Sequence, residues 1–315
     1  MHRMVRRGDG VSNEITAIVP RKGDRLIAFA FVAPALVIVS VFVIFPLIGS
    51  TRLAFFKVDR FGHIGRYVGW TTITRVLGSA ELRTSLAATV RFILLTTPTS
   101  IALGLALAVA AYRPIRGIAF FRVVFSSTVA TSGALSAALF VVLLAPTTGA
   151  VRYLLQSIGV LGPNATINLL NDNRWAIVAV AAVTVWSNLG VGFILFSAAL
   201  QGVPEVLYES AALDGCGPWS RFRFVTVPMI RPMIGFATIA ASLNAVLTFG
   251  QIDLLTKGGP QHRTDVLAYA LYRTSFRDND QSKGAVYSIV LLMACLLLGF
   301  VQVHLLRRRG DDNEL

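Results

Sequence analysis

The residues able to do acid–base, nucleophilic or metal chemistry in this chain are few and dispersed. Its four histidines, His2, His63, His262 and His304, are nowhere at the i, i+4 spacing that sets two imidazoles around a metal on one helix face. Cys216 and Cys295 are too few and too far apart for a zinc ribbon or a disulfide framework. No Gly-x-x-x-x-Gly-Lys-Ser/Thr loop is present to cradle nucleotide phosphates, so ATP hydrolysis must come from another subunit. The expectation is a protein that is not an enzyme, has no catalytic residues or metal site, and binds no cofactor of its own.

The elements that hold the remaining polar groups are apolar and long. Of 315 residues 55% are hydrophobic and 14% charged, against roughly 25% charged in a soluble domain. Six runs each approach the roughly 20 helical residues that a hydrocarbon core requires. They cover residues 26–50, 86–112, 118–145, 175–200, 228–249 and 286–306, and are called spans one to six. A basic segment precedes the first without a small-residue cleavage site close behind it, which predicts a retained helix and not a signal peptide. The net charge of +13 belongs at lipid headgroups, not on nucleic acid. Arg113, Arg116 and Arg307 to Arg309 crowd the membrane boundary, which predicts a multi-pass protein of the cell membrane with both termini cytoplasmic. That divides the chain into a cytoplasmic segment 1–25, a six-helix domain 26–306 and a tail 307–315. The stretch 51–81, rich in aromatics and mixed charge, is expected to form short helices on the outer face.

None of the six runs contains Asp or Glu, so the buried carboxylate that a proton- or sodium-coupled carrier uses is missing. Arg91, Arg122, Arg231 and His304 lie near span ends, where long side chains reach the headgroups cheaply. Arg91, toward the outer side, could also touch an anionic solute. Most of the hydroxyls, such as Thr96, Thr97, Ser100, Ser126 and Ser136, are read as packing groups bonded to their own helix. Amides against lipid would cost several kcal/mol, so Asn188 and Asn244 should face protein or a wet cavity. With Thr248, Gln251 and Arg91 they make the candidate solute pathway, whose uncharged lining suits hydroxyl-rich molecules.

Residues 201–228 read QGVPEVLYESAALDGCGPWSRFRFVTVP. Pro204 is placed as a first helical residue, Glu205 sits at the positive end of the dipole, and Gly215 can take the left-handed conformation that ends a helix. The product is a short helix too polar to span, with Ser210, Ala211 and Ala212 small enough for close approach, and with Trp219, Phe222 and Phe224 as apolar anchors. It has the character of a docking knob.

This stretch resembles the EAA loop of binding-protein-dependent ABC importer permeases, carried by Glu209, Ser210, Ala211, Asp214, Gly215, Cys216, Phe222, Val225 and Pro228. Residues 254–276, with Thr256, Gly258, Gly259, Pro260, Thr264, Tyr272 and Phe276, are similar to the Thr-x-Gly-Gly-Pro segment of the sugar and glycerol-phosphate branch. So is Tyr67-Val68-Gly69 to its Phe-Val-Gly. The Ala199 to Gln201 and Asp214 to Pro218 wording is most like the glycerol-3-phosphate permeases. Span three departs from the group's Pro and Trp, with Thr128 and Phe140 in their places.

The resemblance implies an all-α membrane protein of six transmembrane helices in the type I importer fold, with a cytoplasmic coupling helix. It implies half of a translocation pore, paired with a second and different permease chain. Two ATPase subunits carrying ATP and magnesium, and an extracytoplasmic solute-binding protein, complete the assembly. Glu205, Glu209, Ser210, Ala211, Asp214, Gly215 and Phe222 then contact the ATPase. Glycerol-3-phosphate or a glycerophosphodiester is the preferred cargo, and a di- or oligosaccharide the alternative. From another class, a secondary carrier or channel acting alone remains open.

Overall fold

The computed structural model describes residues 22–59, 62–112, 116–160, 162 and 165–311. The arginines at 3, 6, 7, 21 and 113, and most of the predicted N-terminal segment, lie outside the described residues. The chain divides into two compact units, Met1–Gly49 and Ser50–Leu315.

A helix begins in the first unit at Lys22–Val39 and continues through a π turn, Ser40–Ile44, into Phe45–Leu53. Pro46 has no N–H, and its ring would collide with the carbonyl four residues back. The wider π turn placed immediately before it relieves that conflict. The apolar part, Phe29–Leu53, is 25 residues and long enough to cross a bilayer.

In the second unit three unbroken helices are long and apolar enough to span: Ala80–Tyr112, Ala176–Gln201 and Gln281–Leu306. The other two predicted spans are broken. Span three consists of Ile118–Ala130 and Gly133–Leu143, bent by 106°, where a straight crossing was expected; span five consists of Pro218–Met229 and Arg231–Leu247, bent by 70°. Counting each bent pair once gives six spans among the described residues.

The break in span five has a plain cause, because Pro232 near the start of its second half cannot donate to the preceding turn. Span three breaks without proline. Its sequence Ser-Ser-Thr-Val-Ala-Thr-Ser is β-branched and hydroxylated, and such side chains compete for backbone groups. Ser127 Oγ donates to the Val124 carbonyl at 2.7 Å and Thr131 Oγ1 to that of Thr128 at 2.7 Å. The chain passes through a 3-10 turn, Thr128–Ala130, then extends at Thr131 and Ser132. Ser132 restarts the helix as N-cap, accepting from the Leu135 N–H at 3.2 Å.

Span four holds the bundle together. Its Gly192 meets Gly104 of span two so closely that a Cβ on Gly104 would lie 3.2 Å from the Gly192 Cα, the small-residue contact that lets helices approach without solvent to drive them. Two residues earlier, Gly190 receives the break of span three. Around these seats lie three buried clusters, centred on Phe92 with Val183 and Tyr269, on Tyr287 with Leu267, and on Phe196 with Ile230. The hydroxyls behave as packing groups: Thr96, Ser136, Thr184 and Ser187 each donate to the carbonyl four residues back. Thr97 and Ser100 are exceptions, with buried hydroxyls that have no partner among the described residues.

Residues 51–81 differ from expectation. They form an antiparallel hairpin, Phe56–Val58 against Ile64–Tyr67, before a single short helix, Thr71–Leu77. Phe56 stands opposite Tyr67, with ring centroids 5.4 Å apart. Ser282 at the start of span six accepts from the Val58 N–H at 2.9 Å and donates to the Phe56 carbonyl at 2.7 Å. A β-ladder won over helix here because its first strand has a helix terminus to pair against.

Candidate functional site

Two features stand out, a helical peg at one end of the bundle and an uncharged cavity within it. The peg, Glu205–Leu213, lies between spans four and five. Pro204 proves to be its N-cap, not its first helical residue. The C-terminal end is a complete Schellman motif. The Cys216 N–H reaches the Ala211 carbonyl at 2.9 Å, the Gly215 N–H reaches that of Ala212 at 3.1 Å, and Gly215 has φ +77. Pro218 then starts the next helix, so the turn is sharply defined on both sides.

Glu205, Glu209, Ser210, Asp214 and Gly215 are exposed, while Ala211 and Phe222 are half-buried. Leu213 is 91% and Val206 66% exposed, and Trp219, stacked on Phe222 at 5.5 Å, is 71% exposed. Together these side chains leave an exposed apolar surface on a helix too short to span. The peg is not loose. Tyr208 Oη and Thr226 Oγ1 share a hydrogen bond of 3.0 Å, which ties it to the first half of span five. Tyr208 and Thr226 did not stand out in the sequence; a tyrosine on the inward side of a polar loop helix was the available signal.

The cavity, about 330 Å³, lies where the break of span three faces span four and the end of span five. Asn188, Asn244, Thr248 and Gln251 all line it, and among the described residues no ionisable one does. Among the described residues neither the Asn188 nor the Asn244 carboxamide has a hydrogen-bond partner, so both offer their donors and acceptor to whatever enters. Thr248 is spent locally, donating to the Asn244 carbonyl at 2.8 Å. Gln251 is buried and committed: its Oε1 accepts from Thr184 Oγ1 and its Nε2 donates to Ser187 Oγ at 3.1 Å. It braces the wall. Thr131 and Gly133, from the break itself, complete the lining; with no proline there, the sequence offered only its hydroxyl run as a clue.

Arg91 is not part of this cavity. It lines a separate one near the start of span two. Arg122 does more than reach for headgroups, since it donates to the Ala111 carbonyl at 2.9 Å and so closes the C-terminal end of span two.

The end of the bundle opposite the peg carries a charged scaffold that sequence reading missed. Asp265, whose side chain is 3% exposed, accepts from Arg273 at 3.0 Å and contacts His262 Nδ1 at 3.0 Å; Arg273 also binds Asp278 at 3.0 Å. Arg277 donates to Asp253 at 2.7 Å and to Tyr269 Oη at 3.0 Å. Burial pushes the Asp265 carboxyl above its ordinary value, against the pull of Arg273 and His262. The signal was alternating Asp and Arg inside an otherwise apolar segment. Among the described residues no group of three His, Cys, Asp or Glu side chains could hold a metal, and both cysteines are free.

Helices broken around an uncharged, amide-lined cavity, with a capped peg projecting from one end, define a pore-forming membrane transport component. The chain belongs to the family described as the binding-protein-dependent transport system inner membrane component, which it matches over residues 21–311. It is thus a multi-pass inner membrane permease of ABC importers and not an enzyme. It is 28% identical over 287 residues to the sn-glycerol-3-phosphate transport system permease protein UgpA of Agrobacterium fabrum (strain C58), covering 91% of this chain and 96% of that one. It is 30% identical over 280 residues to UgpA of Salmonella choleraesuis (strain SC-B67), covering 89% and 93%. Its fold matches a chain of a bacterial ABC transporter for the acidic polysaccharide alginate, and one from that transporter's complex with a periplasmic protein bound to alginate pentasaccharide. The TM-scores are 0.75 and 0.77, the identities 21% and 22%, and each match covers 91% of this chain and 96% of the other.

Proposed function

We propose that this chain forms half of the pore of an ATP-driven importer for a sugar or glycerol-phosphate type solute, and that Glu205–Leu213 is the peg through which an ATPase subunit works the gate. The observation that carries this is the capped, exposed peg tied to span five by Tyr208 and Thr226. Glu205, Glu209, Ser210, Ala211 and Asp214 face the ATPase cleft, Phe222 anchors the following turn, and Gly215 sets the angle at which displacement passes into span five. On this reading the peg and both termini are cytoplasmic. A second, non-identical permease chain, two ATPases with their ATP and magnesium, and an external solute-binding protein complete the assembly. Asn188 and Asn244 meet the solute's hydroxyls, with Thr248 and Gln251 shaping the wall around them.

The names of the relatives support glycerol-3-phosphate as cargo. The absence of any charge from the cavity lining favours a second reading, a neutral oligosaccharide. The test uses the complete complex in proteoliposomes. Gly215→Asp, or deletion of Glu209, should leave the protein inserted and assembled but abolish ATP-dependent uptake, because the first strains a φ +77 position and the second rotates the peg's docking face. Normal uptake by either variant would refute the coupling role. Uptake that collapses with the proton gradient at constant ATP would instead point to a secondary carrier.

A further inference from the structure

The cavity that contains Arg91, about 470 Å³, has the charge that the amide-lined one lacks. Arg83 and Arg91 stand eight residues apart on span two, two turns along one face, with the small Ala87 midway between them. The opposite wall is Gln261, His262 and Arg263. Gln261 and His262 are both held in left-handed backbone, φ +47 and +60, a conformation that side-chain-bearing residues keep only when their surroundings enforce it. The enforcement is visible, because His262 is tied to the buried Asp265, itself bound by Arg273.

Among the described residues no carboxylate lines this cavity, although the scaffold just behind it is rich in them. Arg83 donates to the Gly78 carbonyl at 3.1 Å, but the guanidiniums of Arg91 and Arg263 have neither a hydrogen bond nor an ion pair among the described residues. Reaching for headgroups would explain Arg91 alone. It does not explain three arginines brought from two separate elements to the lining of one cleft, all of them exposed, so that an anion entering from solvent can reach them together. The depth also fits. Residues 92–112 of span two rise about 32 Å at 1.5 Å each, the thickness of the hydrocarbon, so Arg91 stands at the mouth.

We infer that this cleft is an anion-binding vestibule, in which Arg83, Arg91 and Arg263, with His262 at the rim, receive the phosphate or carboxylate group of a solute before it reaches the amides. Guanidiniums suit either group because their fork matches two oxygens at once. The inference rests on the importer reading for the solute's direction of travel, and it selects an anionic cargo over a neutral one.

The test is the charge selectivity of thiol labelling in the complete complex, held in phosphatidylcholine nanodiscs. Ala87→Cys is introduced with Cys216→Ser and Cys295→Ser. An anionic methanethiosulfonate should react about tenfold or more faster than a cationic one, as expected of a cleft lined by one sign of charge, and inorganic phosphate should slow it. Arg91→Gln with Arg263→Gln should remove both effects, whereas Arg91→Lys should keep most of the rate difference, which separates lost charge from lost structure. Equal rates for the two reagents, or no protection by phosphate, would overturn the vestibule. Protection that appears only with phosphatidylglycerol in the disc would assign the cleft to a lipid headgroup and overturn the solute site. Labelling needs no ATP, so failure of the peg's coupling role leaves this result intact, and the reverse also holds.

Discussion

Replacing Gly190 with alanine tests whether the break in span three is seated on span four. A Cβ there would lie 2.5 Å from Thr128 Oγ1, 2.7 Å from Val129 Cγ2 and 2.9 Å from the Val129 backbone nitrogen. The threonine can rotate away, but the backbone nitrogen cannot, and it must retreat by roughly 0.5 Å to reach ordinary contact. Overpacking of this kind costs about 1–3 kcal/mol, while alanine gains about 1 kcal/mol over glycine in a helix interior, so the net loss is up to about 2 kcal/mol. Gly192→Ala is the internal control. Its Cβ would meet the Gly104 Cα at 3.5 Å, an ordinary contact, so the helix gain survives and the variant should match or exceed the parent. Adding Thr128→Ala to Gly190→Ala should restore only part of the loss, since the clash with Val129 remains. Thermal unfolding of the purified protein in detergent reads the order. Uptake kinetics read the second consequence, because Val129 and Thr131 line the cavity and would shift with the break. If Gly190→Ala unfolds at or above the temperature of Gly192→Ala, the seat does not exist as described.

Three further outcomes are expected. Gln251→Leu removes the side-chain bonds to Thr184 and Ser187, both of which keep their own helix carbonyls, so the unfolding midpoint should drop by an amount equivalent to about 1 kcal/mol with insertion unchanged. Tyr208→Phe cuts the tie to Thr226 and should lower the solute carried per ATP hydrolysed, with uptake and hydrolysis measured side by side; an unchanged ratio would count against a mechanical role. Burial raises the Asp265 carboxyl above 3.8, so the folded protein holds that proton more tightly than the unfolded chain does. The stability it contributes is full below pH 3.8 and is lost as pH rises through the raised value, and Asp265→Asn should flatten that part of a stability–pH curve.

The long spans were legible because lipid imposes one requirement, about 20 apolar residues in helix, and that is written locally: residues 86–112 and 175–200 sit within or almost on Ala80–Tyr112 and Ala176–Gln201. The peg was legible for a similar reason, since the Schellman turn at Gly215 is built from neighbours in sequence. The 106° bend was not, because half of its cause is Gly190, some 60 residues away on another helix. The hairpin was hidden likewise: what pairs with Phe56 and Val58 includes Ser282, more than 200 residues downstream. Asn188, Asn244, Thr248 and Gln251 could be nominated from the cost of amides in lipid. Which of them are free and which are committed depended on Thr184 and Ser187 across the helix interface. Arg91 was separated from that group by geometry that no spacing rule supplies.

A helix that stops and restarts leaves the last carbonyls of one half and the first N–H groups of the other without partners in their own ladder, and hydroxyls of the break take up several of them: Ser127 Oγ and Thr131 Oγ1 donate to the Val124 and Thr128 carbonyls, and Ser132 Oγ accepts from the Leu135 N–H. The break therefore rests on its own residues and on Gly190, and it brings Thr131 and Gly133 into the cavity wall. That wall does not depend on the amides beside it, so Asn188 and Asn244 can be exchanged while the bend that shapes the cavity stays in place.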